Sequence, residues 1–303
     1  MFAPAFCPDA AAMVAYVNGE ENVHNTSSTD AVADGWNRTA YLSAGTATYL
    51  GQAADGTYLL LTAGHVTSSD GSITSSDGTT YTFSYAGTSW TLTNSDGSEA
   101  DLKIIAITPD DDATESYLQS LGSISIYTGM LTTDALLYTV GTGRSDDVGD
   151  SLYTGTRTKQ WAQFYANAYS YEGTSSLAWS VASTTSTTTI CYNETFTNTE
   201  TLSFQAAPGD SGSGVFIEVD GEAQLIGVVL AVSANGTSAE VVGYYSEDED
   251  VYCYSWFANL SEYADQINAI MAIPEPSAFS LFAGTAALAL ACIVARRRRN
   301  KKS

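Results

Sequence analysis

The dipeptide Asp-Gly occurs six times, at Asp34-Gly35, Asp55-Gly56, Asp70-Gly71, Asp77-Gly78, Asp96-Gly97 and Asp220-Gly221. It fits tight hairpin turns, because both central residues must tolerate positive φ. Between these turns run β-branched and aromatic stretches. Tyr58-Leu59-Leu60-Leu61-Thr62, Leu102 to Ile107 and Leu225 to Val232 are compact apolar runs, as expected of strands buried on both faces. The pattern predicts an all-β body from about Thr39 to Cys253. Thr-Ser-Ser-Asp-Gly recurs at 67–71 and 74–78 and is read as a polar hairpin loop. Ser183 to Thr189 and Ser246 to Asp250 are read as long surface loops. The second is a solvated acidic run whose spacing matches no EF-hand. One soluble helix is expected, Ser261 to Ala272, with Ser261 as cap and Tyr263, Ile267 and Ile270 on one face.

Charge narrows the partners. The 303 residues carry 34 acidic and 11 basic side chains, a net charge of −23. Polyphosphate would be repelled, so no nucleic-acid partner is expected. Six of the bases, Arg296 to Arg299, Lys301 and Lys302, stand in the last eight positions, which leaves residues 1–273 with 33 acids and 5 bases. An acidic body rich in Ser, Thr, Gly and Tyr suits the outside of a cell. With no Cys-x-x-Cys pair, a zinc knuckle or redox motif is unsupported. Cys191 and Cys253 could form one disulfide if the body is secreted.

The C-terminus has a distinct grammar. Ala278 to Ala295 is 18 residues without a charge, and as a helix it would span about 27 Å, enough for a bilayer core. The basic cluster that follows would stay cytoplasmic and place residues 1–273 outside; the alternative is a buried core helix. Immediately before the run stand Pro274, Glu275 and Pro276. Pro-Glu-Pro, an apolar helix and a terminal arginine cluster together resemble the PEP-CTERM sorting signal of bacterial surface proteins. That resemblance implies an exosortase-type enzyme as partner, cutting near the Pro-Glu-Pro, with the helix at 278–295 as a temporary membrane tether. An ordinary C-terminal anchor is the other reading. Met1 to Glu20 has no basic n-region and no long apolar h-region. An export leader upstream of Met1, or one already removed, is therefore expected.

Three short blocks carry chemistry. His65 closes the apolar run Leu61-Thr62-Ala63-Gly64-His65, where small neighbours would fix a general base. The other histidine, His24, sits in a polar stretch and reads as a surface residue. Asp101 opens the strand Asp101-Leu102-Lys103-Ile104-Ile105 and could orient His65. Asp96, Asp110, Asp111 and Asp112 compete with it, but each lies in a polar turn or charge run. Pro208-Gly209-Asp210-Ser211-Gly212-Ser213-Gly214 flanks a serine with glycines, which permits a sharp turn and converging N–H groups for an oxyanion.

The order His65, Asp101, Ser211, with Thr62-Ala63-Gly64-His65 and Gly209-Asp210-Ser211-Gly212, resembles the trypsin-like (chymotrypsin-fold) serine peptidases. Softer matches are Val140 to Arg144, Gly155-Thr156-Arg157-Thr158-Lys159 and Ile226 to Val229. The resemblance covers roughly residues 35–272. It implies two six-stranded antiparallel barrels, about 35–135 and 136–258, closed by helix 261–272. Residues 1–34 would be an extension or propeptide remnant, and 273–303 the sorting tail. It implies Ser211 as nucleophile, His65 as general base, Asp101 as its orienter, and the Gly209 and Ser211 N–H groups as oxyanion hole. The substrate would be a protein or peptide, and no cofactor or metal is implied. Gln205, six residues before Ser211, would stand at the floor of the specificity pocket; being neutral, it gives no demand for Lys or Arg. Departures are the missing cysteine after His65, Ser213-Gly214 after the nucleophile block, and Leu230-Ala231 at the substrate edge. Tyr16 to Glu20 faintly resembles the mature N-terminus that activates the family's zymogens. A catalytically inactive binding or adhesion protein on the same scaffold is the alternative function. A lipase or esterase lacks its strand–nucleophile–helix context here.

Overall fold

The computed structural model describes residues 14–17, 20–23, 25–132, 135–143, 157–165, 173–178, 184–194, 202–206, 209–234 and 253–272. Two N-terminal strands, β1 (Val14–Val17) and β2 (Glu20–Val23), pair with each other and precede a short helix, α1 (Ala33–Arg38). Six strands follow: β3 (Thr39–Leu42), β4 (Gly45–Gln52), β5 (Tyr58–Ala63), β6 (Gly71–Thr74), β7 (Thr80–Thr93) and β8 (Glu99–Pro109). They close into an antiparallel barrel in the order β3-β4-β5-β8-β7-β6. Closure leaves no unpaired edge, and the two apolar runs meet directly, Leu60 opposite Ile105 and Leu61 opposite Ile104. All four are fully buried.

One turn is used three times in this barrel. In Asp55-Gly56, Asp77-Gly78 and Asp96-Gly97 the aspartate carboxylate accepts the N–H two residues on, at 2.9 Å in each case. The glycines have φ of 88°, 86° and 84°. Positive φ at both central residues holds at Asp220-Gly221 alone, where φ is 54° and 83°. The other two dipeptides are not turns. Gly35 lies in α1, where an added Cβ would come within 2.6 Å of Tyr138 and 2.8 Å of Phe216. Gly71 begins β6, so the first Thr-Ser-Ser-Asp-Gly leads into a strand and only the second forms a hairpin loop.

A helix absent from the sequence reading, α2 (Asp112–Leu121), follows the barrel. Its cap is Asp111, whose carboxylate accepts Thr114 N at 2.7 Å and is held below the ordinary carboxylate range mainly by that bond. A two-residue strand, β9 (Ser125–Ile126), then lies parallel to the second sheet.

The second sheet comprises β10 (Leu136–Gly141), β11 (Gln160–Tyr165), β12 (Gly173–Ala178), β13 (Thr184–Glu194), β15 (Gly214–Val219), β16 (Glu222–Ala234) and β17 (Cys253–Asn259). Between β13 and β15 the chain forms β14 (Leu202–Gln205). The sheet order is β11-β10-β15-β16-β17-β13-β12, and it is open rather than a second closed barrel. Two pairings explain this. The hairpin β12–β13 occupies the far edge of β17. β14 lies against β11 but hydrogen-bonds to β1, forming a separate sheet β14-β1-β2. Residues 184–189, expected as loop, thus belong to a strand, as their β-branched threonines permit.

The described residues close with a 3-10 turn and α3 (Ala264–Met271), which docks through Ala264 and Ile267. Asn259, rather than Ser261, supplies the side-chain cap ahead of it, accepting Ser261 N. Buried residues from the barrel, β10, β15, β16 and α3 form one continuous cluster, so barrel and sheet share a core.

The strand register argues against a Cys191–Cys253 disulfide. Cys191 stands opposite Trp256 and Cys253 opposite Glu194. The two cysteines are offset by three positions, about 10 Å at ~3.3 Å per residue, and a disulfide needs Cα atoms within about 7 Å. No helix among the described residues is long and apolar enough to cross a membrane. His24, Pro274, Glu275, Pro276 and residues 278–295 lie outside the described residues.

Candidate active site

The barrel brings His65 and Asp101 together through strand register. Ala63, the last residue of β5, pairs with Leu102 of β8, which sets Asp101 against Gly64. Only glycine fits there: a Cβ on Gly64 would lie 2.8 Å from Asp101 Oδ1 and 3.0 Å from its backbone carbon. The buried carboxylate then takes His65 twice. Oδ1 accepts the His65 backbone N–H at 2.8 Å, and Oδ2 lies 2.7 Å from Nδ1. An ionised carboxylate only accepts, so Nδ1 is the donor in this contact. The imidazole is 38 % exposed while Asp101 is 8 % exposed, so the pair is anchored on its buried side and open on the other. Burial also pushes the ammonium of Lys103, two residues along β8, below its ordinary value, with Asp101 opposing the shift.

Three of the four rival carboxylates are engaged elsewhere. Asp96 accepts Ser98 within its hairpin, Asp110 accepts the Ser84 hydroxyl, and Asp111 caps α2.

Ser211 sits in a turn shaped by Gly209 (φ 100°) and Gly212 (φ 94°). Gly212 N donates to Val229 O at 2.8 Å, and Ser213 N donates to Asp210 O at 2.8 Å. Among the described residues, neither the Gly209 N–H nor the Ser211 N–H has an acceptor. Two such neighbouring donors in a half-exposed turn have the chemistry that an anion would need. The Ser211 hydroxyl lies 3.4 Å from Leu230 O on β16, a long contact. Asp210 is fully buried, and its Oδ1 accepts Gly143 N at 2.7 Å.

The sequence reading missed the residue that docks this turn on the barrel. Thr46, in β4, donates its N–H to Ser211 O and its hydroxyl to Gly209 O, both at 2.8 Å. Its own carbonyl accepts the Thr62 hydroxyl at 2.6 Å, three residues before His65. A Cβ on Gly45 would meet Val66 Cγ2 at 2.6 Å and Ser211 O at 2.8 Å. The residue after His65 and the carbonyl of Ser211 therefore face each other across one glycine. A Cβ on Gly212 would lie 1.8 Å from Thr46 O, so the turn presses backbone to backbone against the barrel.

Gln205 closes β14, opposite Val14 of β1. Tyr16, the candidate new terminus, is paired inside β1 with Ser203, so the chain runs on through this position as a strand. No group of three His, Cys, Asp or Glu side chains among the described residues is placed to hold a metal ion. No protein-family model matches the chain, and no curated protein matches it.

Proposed function

We propose that this protein is a serine endopeptidase that works through an acyl-enzyme, exported and sorted to the cell surface. One observation carries the reading: the Asp101 carboxylate takes the backbone N–H and Nδ1 of His65, and Thr46 ties to the same barrel a glycine-flanked serine turn with two unclaimed N–H groups. The Ser211 oxygen attacks the scissile carbonyl as Nε2 of His65 takes its proton. Asp101 holds the Nδ1 proton in place and stabilises the imidazolium. The carbonyl oxygen, now an anion, is received by the Gly209 and Ser211 N–H groups. The tetrahedral intermediate collapses, and His65 returns the proton to the leaving amine. Water then repeats the sequence on the acyl-enzyme and frees Ser211. The likeness to trypsin-like peptidases in residue order and the closed first barrel support the same reading.

The deciding experiment is labelling by a fluorophosphonate. The wild-type protein is expected to label, and Ser211→Ala to abolish labelling. His65→Ala is expected to lower turnover of a peptide ester on the order of 10⁴-fold. A folded wild-type sample that never labels would count against hydrolysis. It would favour a binding protein, a reading that the Ser211 hydroxyl's contact with Leu230 O supports. The sorting tail is a separate part of the proposal: intact mass of the surface-displayed protein should show truncation near Pro274–Pro276.

A further inference from the structure

Arg157 stands among five basic residues in the first 273 positions, in a chain with 34 acids. Its guanidinium collects backbone oxygens from three separate parts of the fold. Nε donates to Thr142 O at 2.7 Å, just past the end of β10. Nη1 donates to Leu42 O at 2.5 Å and Ser43 O at 3.3 Å, in the turn between β3 and β4. Nη2 donates to Gly45 O, to the Thr142 hydroxyl at 2.6 Å and to Gly209 O at 3.3 Å. The planar face lies over the Tyr41 ring, 4.1 Å from its centroid. The fork is thus held edge-on by oxygens and face-on by an aromatic, an arrangement a lysine cannot reproduce.

We infer that Arg157 is a positioning residue for the anion-receiving turn: it fixes the Gly209 peptide against the β3–β4 turn and so aims the N–H groups of Gly209 and Ser211. The Gly209 carbonyl takes two donors, Arg157 and the Thr46 hydroxyl, and these lock the plane of the peptide that follows Gly209. A φ of 100° then sets the direction of the Gly209 N–H. The same guanidinium holds the Gly45 carbonyl, one residue before the Thr46 N–H that binds Ser211 O. Both ends of the turn are therefore referred to one side chain. A Cβ on Gly209 would lie 3.0 Å from Arg157 Nε and 3.2 Å from Gly143 Cα, so the guanidinium packs directly on the glycine backbone.

This inference rests on the hydrolase reading, and the test separates the two. Wild type, Arg157→Ala and Arg157→Lys are compared as the exported chain. The expected result is a fall in kcat and in labelling rate of about 10²-fold, the loss typical of one oxyanion donor, with KM changed less than about threefold. Low millimolar guanidinium ion should restore part of the rate to Arg157→Ala and none to Arg157→Lys. Amide exchange of Thr46 and Gly212 should quicken in both variants while that of β5 and β8 stays slow. If wild type labels and folded Arg157→Lys labels at the wild-type rate, the inference is overturned and the hydrolase reading stands. If wild type fails to label, the hydrolase reading falls. Unchanged protection of Thr46 and Gly212 in the variants then overturns the inference independently. If Arg157→Ala does not fold, Arg157→Lys decides alone through its kcat and exchange.

Discussion

Lys159 is a second half-buried cation with an unusual setting. Its Nζ donates to Thr39 O at 3.0 Å and Thr74 O at 2.7 Å, and it lies 5.0 Å from the Trp36 ring centroid. Burial pushes its pKa down from 10.5 to about 7. A neutral amine still has two N–H donors for the two carbonyls, which is why the site tolerates loss of the proton. Between the folded and unfolded values the unfolded chain binds the extra proton, so stability rises with pH across that window. Below about 7 both states are charged and the burial cost is present in full. Urea midpoints are expected to rise from pH 7 towards pH 10 more steeply in wild type than in Lys159→Met. The difference in slope is at most about 1.4 kcal/mol per pH unit; parallel curves would refute the assignment. At this scale the apolar runs located His65 just past the end of β5 and Asp101 near the start of β8, because such runs are local features. No structural role for Thr46, Arg157 or Lys159 was legible in the sequence, since their settings come from hydrogen bonds to carbonyls far along the chain. The signals available were the Gly155–Lys159 segment and the rarity of bases in so acidic a body.

Strands and turns were the most legible elements. The Asp-Gly turns at 55–56, 77–78 and 96–97 close by a carboxylate that bonds two residues ahead, a local device. α2 was hidden because Asp110, Asp111 and Asp112 read as a charge run, whereas Asp111 is a cap and Leu118 the buried face. The open second sheet was not legible at all. Whether β14 joins β11 or β1 depends on competing pairings between distant segments, and no local pattern selects between them. β5 is buried along its whole length, at all six residues. Leu60→Ala should cost about 2–5 kcal/mol of unfolding free energy by denaturant titration. A loss below about 1 kcal/mol would show that the neighbouring strands collapse onto the gap.

For the molecule as a whole, charge and core placement are linked. Arg38 is 4 % exposed and donates to Leu121 O and Gly122 O. Arg157 and Lys159 also face backbone oxygens, and Lys103 is half-buried. Of the five bases ahead of the tail, Arg144 alone lies outside the described residues. Such a body should capture cationic peptides by long-range attraction. Raising salt from about 20 to 500 mM shortens the screening length severalfold. The ratio of kcat/KM for a lysine-flanked over a glutamate-flanked ester should fall accordingly; a salt-independent ratio would dismiss steering. Withdrawing the guanidinium and ammonium groups inward has one more effect. Neighbouring copies of the body, residues 1–273, meet each other as like-signed polyanions with few basic footholds, so crowding would keep these bodies apart rather than clump them.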